Sequence, residues 1–348
     1  MKKLTAGKVL LRILLILFTT LALLLAAAAG AVWVVLRGPS PAARDMLTRS
    51  MKETSAIGFI PDLFLPEEQV AEIMSYKEEV PETEQVDTSL VTISATRRET
   101  VAQQSQEGGQ SAAPGGTDNG DGIEFIGVTG ANYRGIMMVV EDPFRLFVGT
   151  PDRYGSGVGL TLEQMIEKYD ALAGINGGGF YDPGGGGSGD TPDGIVIANG
   201  ELMWGAEATS STVIGFDADG ILHVGWMSAA EALERNIQWA CSFGPALIVN
   251  GEAQTGSVIT TSGMNPRTAI GQRDDGAVLL LVVDGRQITS LGATYEDLIS
   301  IMLAHGAVNA ANLDGGSSSQ MIYQGEAKNI NASVIGTRPL PTAFLVRK

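Results

Sequence analysis

The feature that most restricts how this 348-residue chain can fold is an uncharged stretch near its amino terminus. It covers the 24 residues between Arg12 and Arg37 and consists mostly of Leu, Ile, Ala and Val. As a helix rising ~1.5 Å per residue, it is long enough for the ~30 Å hydrocarbon core of a bilayer. The stretch therefore predicts a transmembrane anchor over residues 13–36.

The charges around this stretch indicate its orientation. Basic residues before it favour a cytoplasmic amino terminus, although the bias is modest because basic residues also follow it. A cleaved signal peptide is the alternative, since Ala26 to Ala31 offers small residues. The apolar core of a signal peptide usually spans only about 7–15 residues. We therefore predict a cytoplasmic tail (1–12) and an uncleaved single-pass anchor in the cell membrane, with the remainder extracytoplasmic.

The part of the chain beyond the anchor is strongly acidic. The whole chain has 23 basic and 39 acidic residues, and residues 1–37 contain five basic and no acidic ones. Residues 38–348 therefore carry 18 − 39, or −21. Such a surface repels nucleic acid, so no nucleic-acid partner is expected. Any anionic substrate must instead be bound by a few local arginines.

Composition separates a stalk from a folded domain. We predict an extracytoplasmic stalk and disordered linker over residues 37–122, with a short helix after Pro66, because proline suits a helix start. Residues 103–122 are nearly all Gln, Ser, Gly, Ala, Asp and Asn, and such a composition buries too little surface to fold. The globular domain is predicted over residues 123–348.

Short-range patterns in this domain predict an α+β fold of mixed, largely antiparallel sheets with a few short helices. Asn199-Gly200, Asn250-Gly251 and Asp275-Gly276 each separate two strand-like runs, a hairpin pattern. Residues 277–283 are apolar at every position, as expected for a central strand covered on both faces. Capping boxes predict helices after Thr161, Ser228 and Thr294.

Polar residues gather in a glycine turn between the last predicted helix and the following strand. The turn contains Asn312, Asp314, Gly315, Gly316, Ser317, Ser318 and Ser319. Its glycines let the backbone approach a ligand closely, and hydroxyls beside free N–H groups suit an oxyanion such as phosphate. Taken alone, this stretch is also compatible with an ordinary solvated turn.

Several common site types are absent from the sequence. It lacks H-E-x-x-H, C-x-x-C, P-loop and G-x-S-x-G motifs, which disfavours zinc enzymes, NTPases and α/β-hydrolases. Its G-x-G fragments do not lie between a strand and a helix, so no dinucleotide site is predicted. The single Cys241 excludes an intramolecular disulfide. No metal or cofactor is predicted, although the aspartates of the loop Asp182 to Asp193 leave a cation open.

A set of motifs resembles the phosphodiester glycosidase domain family, which includes a lysosomal animal enzyme and bacterial relatives labelled as exopolysaccharide proteins. The resemblance covers about residues 123–347, and the motifs keep the family's order. They are Ile175-Asn-Gly-Gly with Phe180 and Pro192, Phe243-Gly-Pro, Pro266-Arg-Thr-Ala-Ile-Gly, Val283-Asp-Gly-Arg and Asn312-Leu-Asp-Gly-Gly-Ser.

The resemblance implies hydrolysis of a sugar whose anomeric oxygen is esterified to phosphate, with a surface glycan or glycolipid of the cell envelope as the substrate. It implies catalytic roles for Asp314, Asp284 and Arg267. It also implies substrate-binding roles for a second group: Asn176, Arg286, Asn312, Gly315, Gly316, Ser317 and Ser318. The chain departs from the pattern at Gly179, where relatives usually have an aromatic residue, and in the glycine insertion from Gly184 to Gly189.

The chemistry of these residue types suits the reaction. Arginine binds phosphate through two parallel hydrogen bonds, and a carboxylate is needed as nucleophile or as base for water. Which of Asp314 and Asp284 attacks stays open, and Asp284 and Arg286 could merely pair across a turn. We expect Asp314 and Arg267 at the rim of the domain and not in its core. The alternatives are a catalytically silent glycan-binding module and a metal-dependent phosphodiesterase.

Overall fold

The computed structural model describes residues 6–54, 57–75, 84–93, 117–118, 121–155, 157–182, 187–333 and 336–348. Most of the predicted flexible linker over residues 103–122 lies outside these ranges. The first helix, α1, runs from Ala6 to Arg37 and contains the uncharged stretch. By length and composition it is suited to cross a membrane, a test that signal sequences also pass.

The described ranges contain six further α-helices and eighteen strands. The helices are α2 (Pro41–Lys52), α3 (Glu67–Met74), α4 (Leu162–Tyr169), α5 (Ala229–Glu234), α6 (Ser257–Thr260) and α7 (Tyr295–Ala304). The strands are β1 (Thr117–Asp118), β2 (Ile123–Thr129), β3 (Arg134–Val140), β4 (Leu146–Gly149), β5 (Ala173–Asn176), β6 (Val196–Ala198), β7 (Glu201–Trp204), β8 (Ser210–Asp217), β9 (Leu222–Ser228), β10 (Ile237–Ser242), β11 (Ala246–Val249), β12 (Glu252–Ala253), β13 (Arg267–Arg273), β14 (Val278–Val283), β15 (Ala307–Leu313), β16 (Met321–Tyr323), β17 (Glu326–Ala327) and β18 (Ala343–Val346).

The strands form three sheets, and the paired strands are antiparallel. The largest sheet has the order β1-β2-β3-β14-β13-β15-β11-β12. The two five-stranded sheets have the orders β7-β6-β10-β8-β9 and β17-β16-β5-β18-β4. The α+β class predicted from the sequence is therefore confirmed.

The local predictions hold because each rests on a specific short-range interaction. Thr161, Ser228 and Thr294 each cap a helix through a reciprocal capping box. Asn199 and Asn250 take positive φ angles of 54° and 55°, which the tight hairpins β6–β7 and β11–β12 require.

The central strand β14 shows how the core is built. Val278, Leu280 and Val282 point into a cluster shared with the smaller sheets. The alternate residues Leu279, Leu281 and Val283 pack into a second cluster that contains residues of α7. The prediction of a strand covered on both faces is confirmed. Because β14 is buried from end to end, the polar residues that follow it are placed by a rigid element.

Residues 38–54 and 57–75, where the sequence predicts a stalk, form a small helical unit that we call the proximal segment. The short helix predicted after Pro66 is present as α3. The segment packs against the last turn of α1, because Leu36 is buried together with Leu65, Val70 and Ile73. The last part of α2 contacts the loop before β13, where a Cβ on Gly263 would lie 2.6 Å from the Ser50 nitrogen.

Candidate active site

Three neighbouring interior strands of the large sheet bring the predicted residues together where the strands begin or end. We call this end of the sheet the arginine edge. Arg267 opens β13, Asp284 follows β14, and Asp314 follows β15. Arg267 is paired with Val283, and Thr268 is paired with Leu313. Neighbouring strands lie ~4.8 Å apart, so the three polar residues lie within roughly 10 Å across the edge.

The glycine turn after β15 folds over this edge. The Gly316 nitrogen donates to the Pro266 carbonyl at 2.8 Å, which ties the turn to the start of β13. Gly316 has a φ of +62°, and a Cβ there would lie 3.1 Å from Nη2 of Arg286. A side chain at this position would be strained and would crowd the arginine, so glycine is required by both backbone and space.

Asp314 has the environment of a group that exchanges protons near neutral pH. Parts of the residue reach solvent, but its carboxyl is surrounded by protein, and this burial raises its pKa to about 6. The Ser318 hydroxyl, the charge of Arg338 and the Gly315 N–H limit the rise because they favour the ionised form. Gly315 nitrogen donates to Oδ1 at 2.9 Å.

Arg338 is a site residue that the sequence reasoning missed. Its Nη1 donates to the Ser317 hydroxyl at 3.0 Å, and its Nη2 lies 2.7 Å from the Asp182 carboxylate. The guanidinium also lies over the Phe180 ring, 5.0 Å from its centre. Arg338 is the only charged residue between positions 329 and 346, a signal in the sequence that could have identified it.

Arg267 is buried, which corrects the prediction that it lies at an exposed rim. The residue is only 5% exposed. Its Nε donates to the Ala293 carbonyl at 3.2 Å, and its Nη2 donates to the Gly263 carbonyl at 2.7 Å. The guanidinium also stacks on the Tyr295 ring at 4.3 Å. These contacts fix the arginine in one orientation, so it supports the fold as well as presenting charge.

The anion that faces Arg267 is supplied by the chain itself. Oε2 of Glu53, at the end of α2, lies 3.0 Å from Nη2 of Arg267 and accepts from Nδ2 of Asn265 at 2.7 Å. Both side chains of the ion pair are nearly buried, at 6% and 10% exposure. The proximal segment thus places a carboxylate on the arginine that the sequence assigns to phosphate.

Arg286 lies beside the same carboxylate. Its Nη2 donates to the Thr54 hydroxyl at 2.7 Å and to Oδ1 of Asn265 at 3.3 Å. Although the residue as a whole is exposed, burial of its guanidinium and the nearby charge of Arg267 lower its pKa, while Glu53 and Asp314 oppose this. Two guanidinium groups this close favour an anion between them.

Asp284 is placed by hydrogen bonds to a different segment and not by an ion pair with Arg286. Its Oδ1 accepts from the Ile330 nitrogen at 3.0 Å and from Nδ2 of Asn329 at 3.2 Å. Partial burial raises the pKa of the carboxyl, and these two donors oppose the rise. Asp284 is therefore a second carboxyl with altered acidity at this edge.

The two asparagines differ in what they can offer a ligand. Asn176 is fully buried, donates to the Asp314 carbonyl at 2.6 Å, and accepts from the Thr268 hydroxyl and the Gln320 nitrogen. Its contacts brace the glycine turn. Asn312 donates to the Gly244 carbonyl at 2.8 Å, but its Oδ1 has no partner among the residues described. A buried acceptor without a partner costs about 1–3 kcal/mol, so Asn312 is the better candidate for a ligand contact.

Two aspartates of the loop that the sequence left open for a cation are engaged in other contacts. Asp182 pairs with Arg338, and Asp190 accepts from the Gly157 nitrogen and from the hydroxyls of Ser188 and Thr191. Within the described ranges, no group of three or more His, Cys, Asp or Glu side chains is arranged to hold a metal ion.

The departure at Gly179 has a steric explanation. A Cβ at this position would lie 2.6 Å from the Phe243 ring and 3.1 Å from Oδ2 of Asp193. Phe243 thus fills the space that a side chain at position 179 would need, so an aromatic group is present nearby although it comes from another strand end.

Taken together, the edge combines an anion receptor with two carboxyls of raised pKa. The Glu53 carboxylate accepts hydrogen bonds from Arg267 and Asn265. Arg286 donates to Asn265, and the negative charges of Glu53 and Asp314 act to raise its pKa. Such an arrangement can hold a monoanionic or dianionic group while a neighbouring carboxyl accepts or donates a proton.

Comparison with known proteins agrees with this chemistry. A family model described as phosphodiester glycosidase matches residues 169–347, which is just over half of the chain. The match begins at the end of α4 and includes the edge described above. It does not include the proximal segment that supplies Glu53.

Two curated relatives have sequences similar to the same part of the chain. The SPbeta prophage-derived uncharacterized protein YomE of Bacillus subtilis is 30% identical over 197 residues, covering 54% of this chain and 29% of its own length. The bovine N-acetylglucosamine-1-phosphodiester alpha-N-acetylglucosaminidase is 27% identical over 205 residues, covering 53% of this chain and 38% of its own. The chain thus spans about a third of the length of these relatives.

A solved structure shows the same fold. It is the zebrafish N-acetylglucosamine-1-phosphodiester alpha-N-acetylglucosaminidase catalytic domain, described as auto-inhibited by its pro-peptide. The TM-score is 0.55 at 20% identity, and the match covers 77% of this chain and 96% of that one. At this level of identity the likeness concerns the fold.

Proposed function

The chain belongs to the phosphodiester glycosidase family, and from this premise we propose that it hydrolyses a glycosyl phosphodiester to free sugar and a phosphomonoester. The observation that best supports this is the placement of Arg267 and Arg286 around one carboxylate, next to Asp314. A phosphodiester carries the same kind of charge as that carboxylate and would be held by the same donors.

The leaving group decides what the carboxyls must do. Cleavage between the anomeric carbon and oxygen releases a phosphomonoester, whose second pKa is about 6. Near neutral pH such a group leaves without needing a proton, provided that its growing negative charge is held. Arg267 and Arg286 supply that charge stabilisation, which is the larger part of catalysis in many enzymes.

The remaining task is attack on the anomeric carbon. A carboxylate can attack directly or can take a proton from the attacking water. We assign this task to Asp314, because the turn that carries it is tied to the arginine edge and its pKa of about 6 leaves it largely ionised at neutral pH. Asp284 is then the second carboxyl, which assists water or the sugar hydroxyls. Asn312 contacts the sugar through Oδ1.

We propose that α1 is a retained membrane anchor that leaves the domain outside the cytoplasm. A cleaved signal peptide is the alternative, but the uncharged stretch of 24 residues is longer than the ~7–15 residues usual for the apolar core of a signal peptide. The length of the stretch supports an anchor that remains part of the protein, and thus a substrate in a surface glycan or glycolipid.

We also propose that the proximal segment inhibits the site. Glu53 and Thr54 occupy donors of Arg267 and Arg286 that the substrate phosphate would need. The related zebrafish domain is described as auto-inhibited by its pro-peptide, and Glu53 would act here in a corresponding way. Substrate would have to displace the Glu53 carboxylate before the arginines could bind phosphate.

A direct assay tests the proposal. The full chain and its Glu53→Ala variant, in detergent, are given a panel of sugar 1-phosphodiesters that begins with N-acetylglucosamine compounds. Sugar and phosphomonoester should appear in equal amounts, and Asp314→Asn should abolish both. Binding without turnover by either protein would favour a silent glycan-binding module, and turnover that a chelator stops would favour a metal-dependent phosphodiesterase.

A further inference from the structure

Large apolar side chains are exposed at the rim of the candidate site. Ile288 lies in a tight turn directly after Arg286 and is 103% exposed. In this turn Gln287 and Ser290 exchange backbone hydrogen bonds of 2.9 and 3.1 Å, so the side chain at its tip is held away from the domain. Leu291, just beyond the turn, is 49% exposed.

A second segment brings another apolar side chain to the same rim. Ile330 is 64% exposed, and its nitrogen donates to the Asp284 carboxylate. Its carbonyl accepts from Nε2 of Gln287 at 3.2 Å, which links it to the turn that carries Ile288. Ile288 and Ile330 therefore stand on adjoining segments beside one candidate catalytic carboxyl.

The proximal segment contacts this rim and carries exposed apolar residues of its own. Thr54 contacts Arg286, the residue that precedes the turn. Along the chain from this contact, Phe59 and Leu63 are 60% and 68% exposed. Single exposed apolar residues are common, but the group of Ile288, Leu291 and Ile330 at the mouth of one site indicates an interaction surface. We call Ile288, Leu291 and Ile330 the apolar rim.

The geometry of the chain indicates which partner this surface meets. Only residues 38–52 separate the end of α1 from Glu53. The twelve residues of α2 measure about 18 Å, and the three residues before it span at most about 10 Å. The site therefore lies within roughly 30 Å of the end of the apolar helix, and Leu36 is packed into the proximal segment.

The charge of the same stretch fits a membrane surface. Residues 37–52 contain Arg37, Arg44, Arg49 and Lys52 but only one acidic residue, Asp45. Arg44 pairs with Asp45 and Lys52 pairs with Asp62, so the excess is small. This local excess of positive charge contrasts with the value of −21 for residues 38–348. Basic residues close to a bilayer are attracted to anionic lipid headgroups, whereas the acidic remainder is repelled.

We propose that the apolar rim enters the membrane interface, and that the substrate is a glycosyl phosphodiester whose second ester group is a lipid in the same bilayer. This rests on the proposed hydrolysis. Water adds its oxygen to the anomeric carbon, the bond from that carbon to the phosphate oxygen breaks, and the proton released passes to the carboxylate. The sugar leaves into water, and the lipid phosphomonoester stays in the membrane.

The first test measures depth without requiring activity. Cys241 is buried, so a single exposed cysteine can be spin-labelled selectively. The full chain carrying Ile288→Cys is placed in vesicles of phosphatidylcholine and phosphatidylglycerol, and collisions with oxygen and with a water-soluble nickel complex are compared. Leu303→Cys is the matched control, because Leu303 is 42% exposed on α7 near the opposite end of β13.

The label at position 288 should collide preferentially with oxygen, and the label at position 303 preferentially with nickel. Equal nickel access at both positions would overturn membrane insertion of the rim. Spin–spin broadening at position 288 would show that a second copy covers the rim, which would also overturn it. Ile330→Cys repeats the measurement on the adjoining segment if Ile288→Cys fails to fold.

The second test concerns the substrate. Ile288→Asp should lower turnover of a vesicle-embedded, lipid-linked sugar phosphodiester by about tenfold or more, since a charge at the interface opposes insertion. Turnover of a water-soluble phosphodiester of the same sugar should be unchanged. Equal loss on both substrates would overturn the lipid assignment. If wild-type protein and its Glu53→Ala variant turn over neither substrate, the proposed hydrolysis fails, while the depth measurement still decides whether the rim meets lipid.

Discussion

Glu53 and Arg267, 214 residues apart in the chain, form a nearly buried ion pair with an Oε2–Nη2 distance of 3.0 Å. Arg267 is the first residue of β13, whereas Glu53 belongs to the proximal segment, which follows α1. A charge pair in such surroundings is held in place by its partners, because removal of one member leaves the other without compensation. The pair therefore links the position of the proximal segment to the state of the site.

The first prediction removes this charge. Glu53→Gln keeps the shape of the side chain but leaves Arg267 without its anion, so the protein should lose about 3 kcal/mol of stability, the usual scale for breaking a buried pair. At the same time turnover of a sugar phosphodiester should rise, because phosphate no longer competes with a carboxylate. Thermal melting and product release measure the two effects.

Inorganic phosphate provides the control for this variant. If the vacated arginines bind phosphate, added phosphate should raise the melting temperature of Glu53→Gln more than that of the parent, since a ligand of the native state stabilises it. Glu326→Gln serves as the matched substitution, because Glu326 pairs with Lys328 at the surface. Equal phosphate effects in all three proteins would contradict an anion site at Arg267.

The second prediction separates the two arginines. Arg286→Lys loses the contacts to Thr54 and Asn265, so its melting temperature should change little. It also loses the paired hydrogen bonds to phosphate, so KM should rise. Arg267→Lys also loses the bonds to Ala293 and Gly263, so its melting temperature should fall. If both variants melt like the parent, Arg267 does not support the fold.

The sequence allows the elements to be predicted because they depend on local patterns, whereas the grouping of the site residues was expected only from the resemblance to a family. Capping boxes, Asn-Gly turns and the fully apolar run of β14 are recognised from a few adjacent residues. The motifs that carry Arg267, Asp284 and Asp314 all fall at ends of neighbouring strands. Antiparallel pairing brings those ends together.

The contacts that depend on long separations could not be predicted. The residues around Glu53 form no sequence pattern that predicts its contact with Arg267. The two residues are brought together only by the tertiary fold. The burial of Arg267 likewise depends on Tyr295, Ala293 and Gly263, which come from other segments. Arg338 approaches Asp314 only because residues 336–348 return to the site beside β5.

The third prediction concerns the departure at Gly179. Gly179→Phe introduces a ring where the Phe243 ring already lies, so overpacking should lower stability by about 1–3 kcal/mol. The double variant Gly179→Phe with Phe243→Ala should recover part of that loss, because the second change opens the space. Chemical denaturation of the four proteins measures the coupling, and simple addition of the two single losses would refute the proposed exchange of aromatic rings.

The fourth prediction follows from the raised pKa of Asp314. A carboxyl whose pKa rises from 3.8 to about 6 on folding favours the protonated native state, by roughly 3 kcal/mol. Its contribution to stability is therefore greatest below pH 3.8 and is lost as the pH rises through about 6. Asp314→Asn should remove this loss and so melt higher than the parent at pH 8, with no such gain at pH 4.

Activity should change in the opposite direction. If Asp314 acts as nucleophile or base, the rate should rise with pH through about 6, and Asp314→Asn should lower turnover by about 10²–10⁴. Asp284→Asn tests the second carboxyl in the same assay. A variant of Asp314 that keeps its activity would assign the attacking role to Asp284 or to neither.

The last prediction tests Arg338 as a positioning residue. Its positive charge lowers the pKa of Asp314, against the larger effect of burial, and Asp182 nearby acts in the opposite sense. Arg338→Gln should therefore move the midpoint of the pH–rate profile upward from about 6, and activity at low pH should fall more than activity at high pH. Arg338→Lys keeps the charge near Asp182 and should leave the midpoint close to that of the parent.

A purely structural role for Arg338 would predict a different result. Both variants would lose activity in proportion at every pH, with the midpoint unchanged. The pH dependence of kcat/KM for the parent and the two variants distinguishes these outcomes, because a shift in midpoint reports the acidity of the carboxyl itself.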